Sequence, residues 1–318
     1  MFQRPQQLMK QLSFLGYTIL YEDKGSFPHP QIKNLWDSFY LCQGVSALSM
    51  AHSRPRILWL TFPQHVNLIE TYQPDYIVFD CSDEPKEEFA DWLKFWKPLL
   101  KKSDLVFASS LSLYEQLSSQ HRHVTLIRNG VDYPHFTLPQ DKPSDLPEKR
   151  SLIGYSGAIA PWLDWSLLKD VIADNPALHF IFLGALVKLK QFPLKSKNLS
   201  YLGVKPYSIL PAYLQQFEVS LIPFRITEMT KGCNPIKLYE YTAAGSNVVA
   251  TPLPELCQIS CPGLYLAVDS ISFSESIKQA LQEKSNTPND DSKRSFASQN
   301  DWLERAREIH TRILDHCP

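Results

Sequence analysis

NPIKLYEYTAAGSNVVATPLPE, Asn234–Glu255, holds a helix, a stop and a strand in close succession. Asn234 is a good N-cap residue, and Pro235 suits the first helical position, where its missing N–H has no helical partner. Gly245 accepts positive φ at little steric cost and closes the helix. Asn247-Val248-Val249-Ala250 then reads as a short buried strand, ended by Thr251-Pro252. Lys237 and Glu240 are three apart and share a face near the helix N-terminus, whose free N–H groups attract anions, phosphate above all. Two readings stand level on this local pattern. One is a capped surface helix with an i, i+3 ion pair. The other is an anion site, in which Lys237 adds positive charge and Glu240 accepts hydrogen bonds from sugar hydroxyls.

Upstream and downstream of this stretch the same cadence repeats. RPQQLMKQLSFLG has apolar residues at Leu8, Met9, Leu12 and Leu15, a helical spacing ended by Gly16. YTILYE and RILWLTF read as strands, HVNLIETY as a short helix, and DYIVFD as the apolar run of a parallel strand covered on both faces. Residues 86–101 look helical, and DLVFAS, SLYEQLSSQ and HVTLIRNG continue the alternation. TLPQDKPSDLPEKR, residues 137–150, is polar and proline-rich, the composition of a linker. The alternation then restarts with SLIGYSG and runs through LHFIFLG, NLSYLG, EVSLIPF and NVVAT to LYLAV and two terminal helices. The reading is α/β: two Rossmann-like doubly wound domains, at 1–136 and 151–318, with the last helix crossing back to the first domain. The default binding site is the cleft at their carboxyl edges. The chain opens on a helix where a doubly wound domain opens on a strand. The first domain is therefore expected to lack its first strand, with the chain short at its N-terminus or the sheet left with two unpaired edges.

Composition narrows the functional classes. The 318 residues suffice for two cores, and a formal net charge of −1 gives no global field for nucleic acid. The six cysteines form no C-x-x-C pair and no zinc spacing, and read as free thiols of a reducing compartment. No apolar stretch approaches a membrane span, and MFQRPQQLMK is not a signal peptide, so a cytoplasmic protein is expected. No G-x-G-x-x-G follows a strand, which disfavours a dinucleotide-dependent dehydrogenase.

Single residues carry two readings each. Gly157, in GYSGAI, is either an ordinary turn glycine or the place where a phosphate approaches the backbone. Asp164 reads as an N-cap. Lys231 and Lys237 are either solvated or bracket a phosphate at the helix start; Arg225 is a weaker third candidate. Asp80, Asp83 and Glu84 end the DYIVFD strand, as acceptor-side carboxylates or as a capping box near Pro85. His65 reads more readily as structural than catalytic. Arg4 either faces donor phosphates or is merely exposed, and NGVD at Asn129–Asp132 reads as a hinge.

Together, RPQ at Arg4–Gln6, FDCSDE at Phe79–Glu84, IRNGVDYPHF at Ile127–Phe136, IGYSGAIAPWLDWSLL at Ile153–Leu168 and LIPFRITEMTKGCNPIKLYEYTAAGSNVVATPLPEL at Leu221–Leu256 resemble the retaining GT-B-fold glycosyltransferases of family four. The likeness is strongest to the group that includes the teichuronic-acid biosynthesis transferases. The resemblance implies transfer of a sugar from a UDP- or GDP-linked donor to a cell-surface polysaccharide or lipid-linked glycan, without metal or other cofactor. It implies a cytoplasmic site at the inner membrane face with peripheral association. It assigns donor binding to Gly157, Lys231, Asn234, Pro235, Ile236, Lys237 and Glu240, with Glu240 on the ribose, and catalytic roles to Lys237, Lys231, Asp83 and Arg4. One departure stands out. The family pairs two glutamates eight positions apart, and Gly232 occupies the first position; a Lys-x-x-Asn-Pro-x-Lys pattern, Lys231 to Lys237, stands instead. That loss, with the missing first strand, supports a non-catalytic nucleotide-sugar binder as an alternative; a GT-B nucleotide-sugar epimerase is another, although the further acidic and histidine residues expected at both its cleft edges find no place in this sequence.

Overall fold

The computed structural model describes residues 2–25, 27–148, 151–286 and 291–317. It divides into two compact units, one of Phe2–Asn129 with Trp302–Pro318 and the other containing Gly130–Asp301.

In the first unit, the helix Arg4–Phe14 buries Leu8, Met9 and Leu12, the spacing read from the sequence. The terminal helix Trp302–His316 turns Trp302, Ala306, Ile309 and Ile313 inward and packs against it, with Tyr17 Oη 2.9 Å from His310 Nδ1. Strands β1 (Ile19–Asp23), β2 (Gln31–Trp36) and β3 (Phe39–Gln43) form one sheet in the order β1-β3-β2, with β1 parallel and β2 antiparallel to β3. The β2–β3 hairpin was not anticipated. Its turn, Asp37-Ser38, lacks glycine, and Asp37 itself takes a positive φ of 20°. Strands β4 (Ile57–Leu60), β5 (Tyr76–Cys81), β6 (Leu105–Ala108) and β7 (Val124–Leu126) form a second, wholly parallel sheet in chain order. Among the described residues β1 and β4 are therefore both edge strands.

Arg4 is neither exposed nor aimed at a ligand. It is 2 % exposed, and its Nε and Nη2 fork onto Asp80 at 2.7–3.1 Å. Its Nη1 donates to Ile127 O at 2.8 Å and to Asn129 Oδ1 at 3.1 Å. A guanidinium taken from water needs acceptors for its donors, and here one carboxylate, one backbone carbonyl and one side-chain amide oxygen supply them. The catalytic role expected for Arg4, and the acceptor-side role for Asp80, give way to a buried clamp joining the first helix to the ends of β5 and β7.

The second unit holds β8 (Leu152–Ser156), β9 (His179–Leu183), β10 (Leu199–Tyr201), β11 (Val219–Ile222), β12 (Asn247–Ala250) and β13 (Leu264–Leu266) in one parallel sheet, ordered β10-β9-β8-β11-β12-β13. Strands β8, β11 and β12 are buried along their whole length, as covering on both faces requires. Among the described residues three helices follow β13 where two were expected: Ser270–Asn286, Asp291–Gln299 and Trp302–His316. The proline-rich stretch at 137–148 lies on this unit as more than a tether; residues 149 and 150 are outside the described residues. Leu146 is buried in its core, Gln215 Nε2 donates to Phe136 O and Leu138 O, and Asp145 accepts from Tyr213 and Lys205. Side chains of the folded unit thus take up the polar groups that an extended segment cannot pair by itself.

Lys284 closes the unit's central helix, donating to Gly245 O at 3.2 Å and Phe217 O at 3.1 Å. Burial, with Lys293 nearby, lowers its pKa to about 8. The unfolded chain holds that proton to about pH 10.5, so this group's contribution to stability rises between about pH 8 and 10.5. Urea unfolding of wild type and Lys284→Met across pH 7–10 should show that rise in the wild type and its absence in the variant. Asp80→Ala strands a buried guanidinium and should cost about 3–5 kcal/mol in the same measurement.

Candidate functional site

A parallel sheet offers its ligand crevice at the carboxyl ends of the strands where the chain order reverses. In the second unit that point is β8, flanked by β9 on one side and β11 on the other. Gly157 follows it directly. A side chain at Gly157 would bring its Cβ to 2.7 Å from Tyr155 Oη and 3.2 Å from Lys237 Cε, so only glycine leaves room there. Two residues eighty positions apart in sequence, Gly157 and Lys237, are thereby neighbours.

The helix that carries Lys237 runs Ile236–Ala243, with Pro235 at its cap position. Asn234 does not cap it. Its Nδ2 donates to Tyr239 Oη at 3.1 Å and Glu255 Oε1 at 3.3 Å, because Asn234 and Glu255 are both buried and answer each other's polarity. Among the described residues no side chain caps the helix start, so the first-turn amides of Ile236 and Lys237 keep the donor character of an uncapped N-terminus. The far end closes as expected: Gly245 takes φ +81°, with Gly245 N donating to Thr242 O and Ser246 N to Tyr241 O.

Lys237 Nζ lies 2.8 Å from Glu240 Oε2, with the Glu240 side chain nearly buried and the Lys237 side chain one-fifth exposed. The i, i+3 ion pair read from the sequence is present, beside Gly157 at the switch point of the sheet. The helix around the pair is buried from Leu238 to Ala243 and lacks a side-chain cap, so the capped surface helix of the first reading is not what the structure holds; the ion pair itself leaves a second Glu240 oxygen as an acceptor.

Lys231 is placed differently. It ends the short Glu228–Lys231 helix, which Thr227 caps, and its Nζ is 2.5 Å from Glu228 Oε1 with both side chains about half exposed. Asp164 caps Trp165–Asp174 by accepting from Leu167 N at 3.0 Å, as read. In the first unit Asp83 follows β5, half-buried, with Ser82 Oγ donating to it at 3.1 Å and its pKa raised by burial. Glu84 is buried with Lys86 3.9 Å away. His65 lies edge-on to Phe62, its pKa lowered by burial and by Lys24. Among the described residues no group of three His, Cys, Asp or Glu side chains is placed to hold a metal ion, and no helix is long and apolar enough to cross a membrane.

Two positioning residues escaped the sequence reading. Tyr241 Oη accepts from Ser156 N at 2.8 Å and donates to Ser156 O at 3.2 Å, fastening the helix to the end of β8. Glu255 holds Asn234. Tyr241 stands one turn after Lys237, and Glu255 follows a proline at a helix start; both signals are visible, but their partners are not.

No family model matches the chain. It is 25 % identical over 288 residues to the putative teichuronic acid biosynthesis glycosyltransferase TuaH of Bacillus subtilis (strain 168), covering 81 % of this chain and 72 % of that protein. Among solved structures it is similar to the sucrose-phosphate synthase of Thermosynechococcus elongatus, with a TM-score of 0.75 at 13 % identity over 96 % of this chain and 91 % of that one. Anabaena HepE in complex with UDP and glucose matches with a TM-score of 0.67 at 15 % identity, over 84 % and 80 % of the two chains. The chain has the GT-B fold of two Rossmann-like domains, and the Bacillus subtilis protein it resembles in sequence bears the name of a putative glycosyltransferase.

Proposed function

We propose that the protein is a glycosyltransferase that moves a sugar from a nucleotide-diphosphate donor to a cell-surface polysaccharide or lipid-linked glycan. The observation that carries this reading is the juxtaposition of Gly157, Lys237, Glu240 and an uncapped helix N-terminus at the switch point of the second unit's sheet. HepE, which has the same fold, is seen with UDP and glucose and with UDP-glucose, and this supports a UDP-linked donor here. In the proposed complex the diphosphate meets the backbone at Gly157 and the amides of Ile236 and Lys237, and Glu240 accepts from the ribose hydroxyls. Pro235 fixes the chain's entry to the helix, and Asn234 holds that entry through Glu255. Lys231 reaches the diphosphate only by leaving Glu228, so it ranks below Lys237. Asp83, at the carboxyl end of β5, is assigned to the acceptor side, where a carboxyl with a raised pKa can donate to or accept from a hydroxyl. The enzyme is proposed to work with the nucleotide sugar as substrate and without a bound cofactor, peripherally at the inner face of the membrane.

The chemistry follows from charge. As the glycosidic bond breaks, negative charge grows on the β-phosphate, and a cation placed there is worth more in the transition state than before it. Turnover of UDP- and GDP-sugars, followed by release of the nucleoside diphosphate, tests the reading; a folded protein that binds donor and never releases nucleotide is a binder. Lys237→Ala should lower kcat by about ten- to a thousandfold, and by more than it raises donor KM. Lys237→Arg should recover only part of this, because a planar fork does not replace a compact ammonium. Glu240→Ala should weaken donor binding by about 1.5–3 kcal/mol in calorimetry, since it removes an ionised acceptor.

A further inference from the structure

The helix Leu93–Lys102 in the first unit turns Trp96, Leu99 and Leu100 into the core. Its outer surface carries Lys94, Lys97, Lys101 and Lys102, all exposed, and no acidic residue. None of these lysines forms an ion pair among the described residues. Lys101 and Lys102 sit at the carboxyl end, where the helix dipole favours cations. Lys94 sits in the first turn with its ammonium 4.9 Å from the centroid of the Phe95 ring.

An apolar surface adjoins these charges. Leu93 is 58 % exposed and Phe62 44 % exposed. The Phe62 ring meets Trp92 edge-on at 5.6 Å, and Trp92 stacks on Phe89 at 4.5 Å. The short helix after Phe62, Pro63–Leu68, packs on Leu93–Lys102 and brings that ring alongside it. Lys97 lies one turn from Leu93, so the aromatic end and the lysine stripe are continuous. The exposed acids nearest in sequence, Asp91 and Asp104, flank the stripe at its two ends, and Asp104 Oδ2 accepts from Ile77 N at 2.8 Å. Exposed aromatic and aliphatic side chains beside cations with no carboxylate partner among the described residues match a bilayer of negative headgroups, where the rings enter the interface and the ammonium groups meet phosphates.

We propose that Phe62, Trp92 and Leu93, with Lys94, Lys97 and Lys101, form a docking face for an anionic phospholipid surface. The inference gives a location to the peripheral association proposed above. It is read without sugar transfer, so its failure and the failure of the transferase reading are separate events.

The test is co-sedimentation of the full chain with vesicles of phosphatidylcholine alone or mixed with phosphatidylglycerol, at low and at physiological salt. Wild type should partition onto the anionic vesicles and much less onto the neutral ones. Replacing Lys94, Lys97 and Lys101 together by Glu should lower partitioning by at least about fivefold per lysine. Leu93→Ser with Phe62→Ser should retain binding at low salt and lose it at physiological salt, because charge alone is screened. Brominated acyl chains should quench part of the tryptophan fluorescence of wild type, and Trp92→Phe should remove that part. Circular dichroism melting confirms that each variant is folded. The proposal is overturned if wild type ignores anionic vesicles at low salt, or if the triple Glu variant binds them equally. Binding of soluble dextran sulfate but not of vesicles also overturns it, in favour of a polyanionic glycan.

Discussion

A buried phenol sets the geometry on which the second unit's site depends. Tyr241 Oη is bonded to both the N–H and the C=O of Ser156, so it ties one turn of a helix to the last residue of a strand. Burial raises the Tyr241 pKa, which keeps the hydroxyl protonated and able to serve both bonds. A helix that slid by one turn on the sheet would carry Lys237 about 5.4 Å from Gly157. Hydrophobic packing alone tolerates such slips poorly but does not forbid them; two hydrogen bonds to the backbone of one residue do, because breaking them strands buried polar groups.

The same economy governs the first unit with the opposite sign of function. Arg4 and Asp80 look, as residue types at a helix start and a strand end, like groups meant for a ligand. Their chemistry is spent inside the protein, on each other and on the ends of β7. A charged residue near a carboxyl edge is therefore evidence of a site only when its donors or acceptors are left over. Lys237 and Glu240 meet that condition in part, since the Lys237 side chain remains one-fifth exposed and Glu240 has a second oxygen.

Most of the strands were legible because parallel strands buried on both faces must be continuous apolar runs, and DYIVFD, LHFIFLG and NVVAT have no other comfortable state in water. The β2–β3 hairpin was not legible, since QIKNLW and FYLCQ mix polar and apolar residues and their turn has no glycine. At the site, the i, i+3 pair of Lys237 and Glu240 was readable because helix periodicity brings it together locally. Asn234 was misread as a cap because its partner Glu255 lies twenty-one residues on, and Arg4 was misread because Asp80 and Ile127 lie seventy-six and more than a hundred residues away. Local spacing predicts local contacts; it has no access to which distant group arrives first.

The route of the chain carries a consequence for how the protein is made. Gly130–Asp301 is continuous, so all its strands and helices are available once that segment has left the ribosome. The other unit contains the earliest residues of the chain, yet Trp302–Pro318 belongs to it as well, and the helix Arg4–Phe14 packs against Trp302–His316. Until synthesis reaches that last helix, part of the apolar face formed by Leu8, Met9 and Leu12 waits without its partner. The order of completion is thus reversed relative to the order of translation. The half that begins first finishes last, and it is the half that a chaperone or a protease would meet with an apolar surface still open.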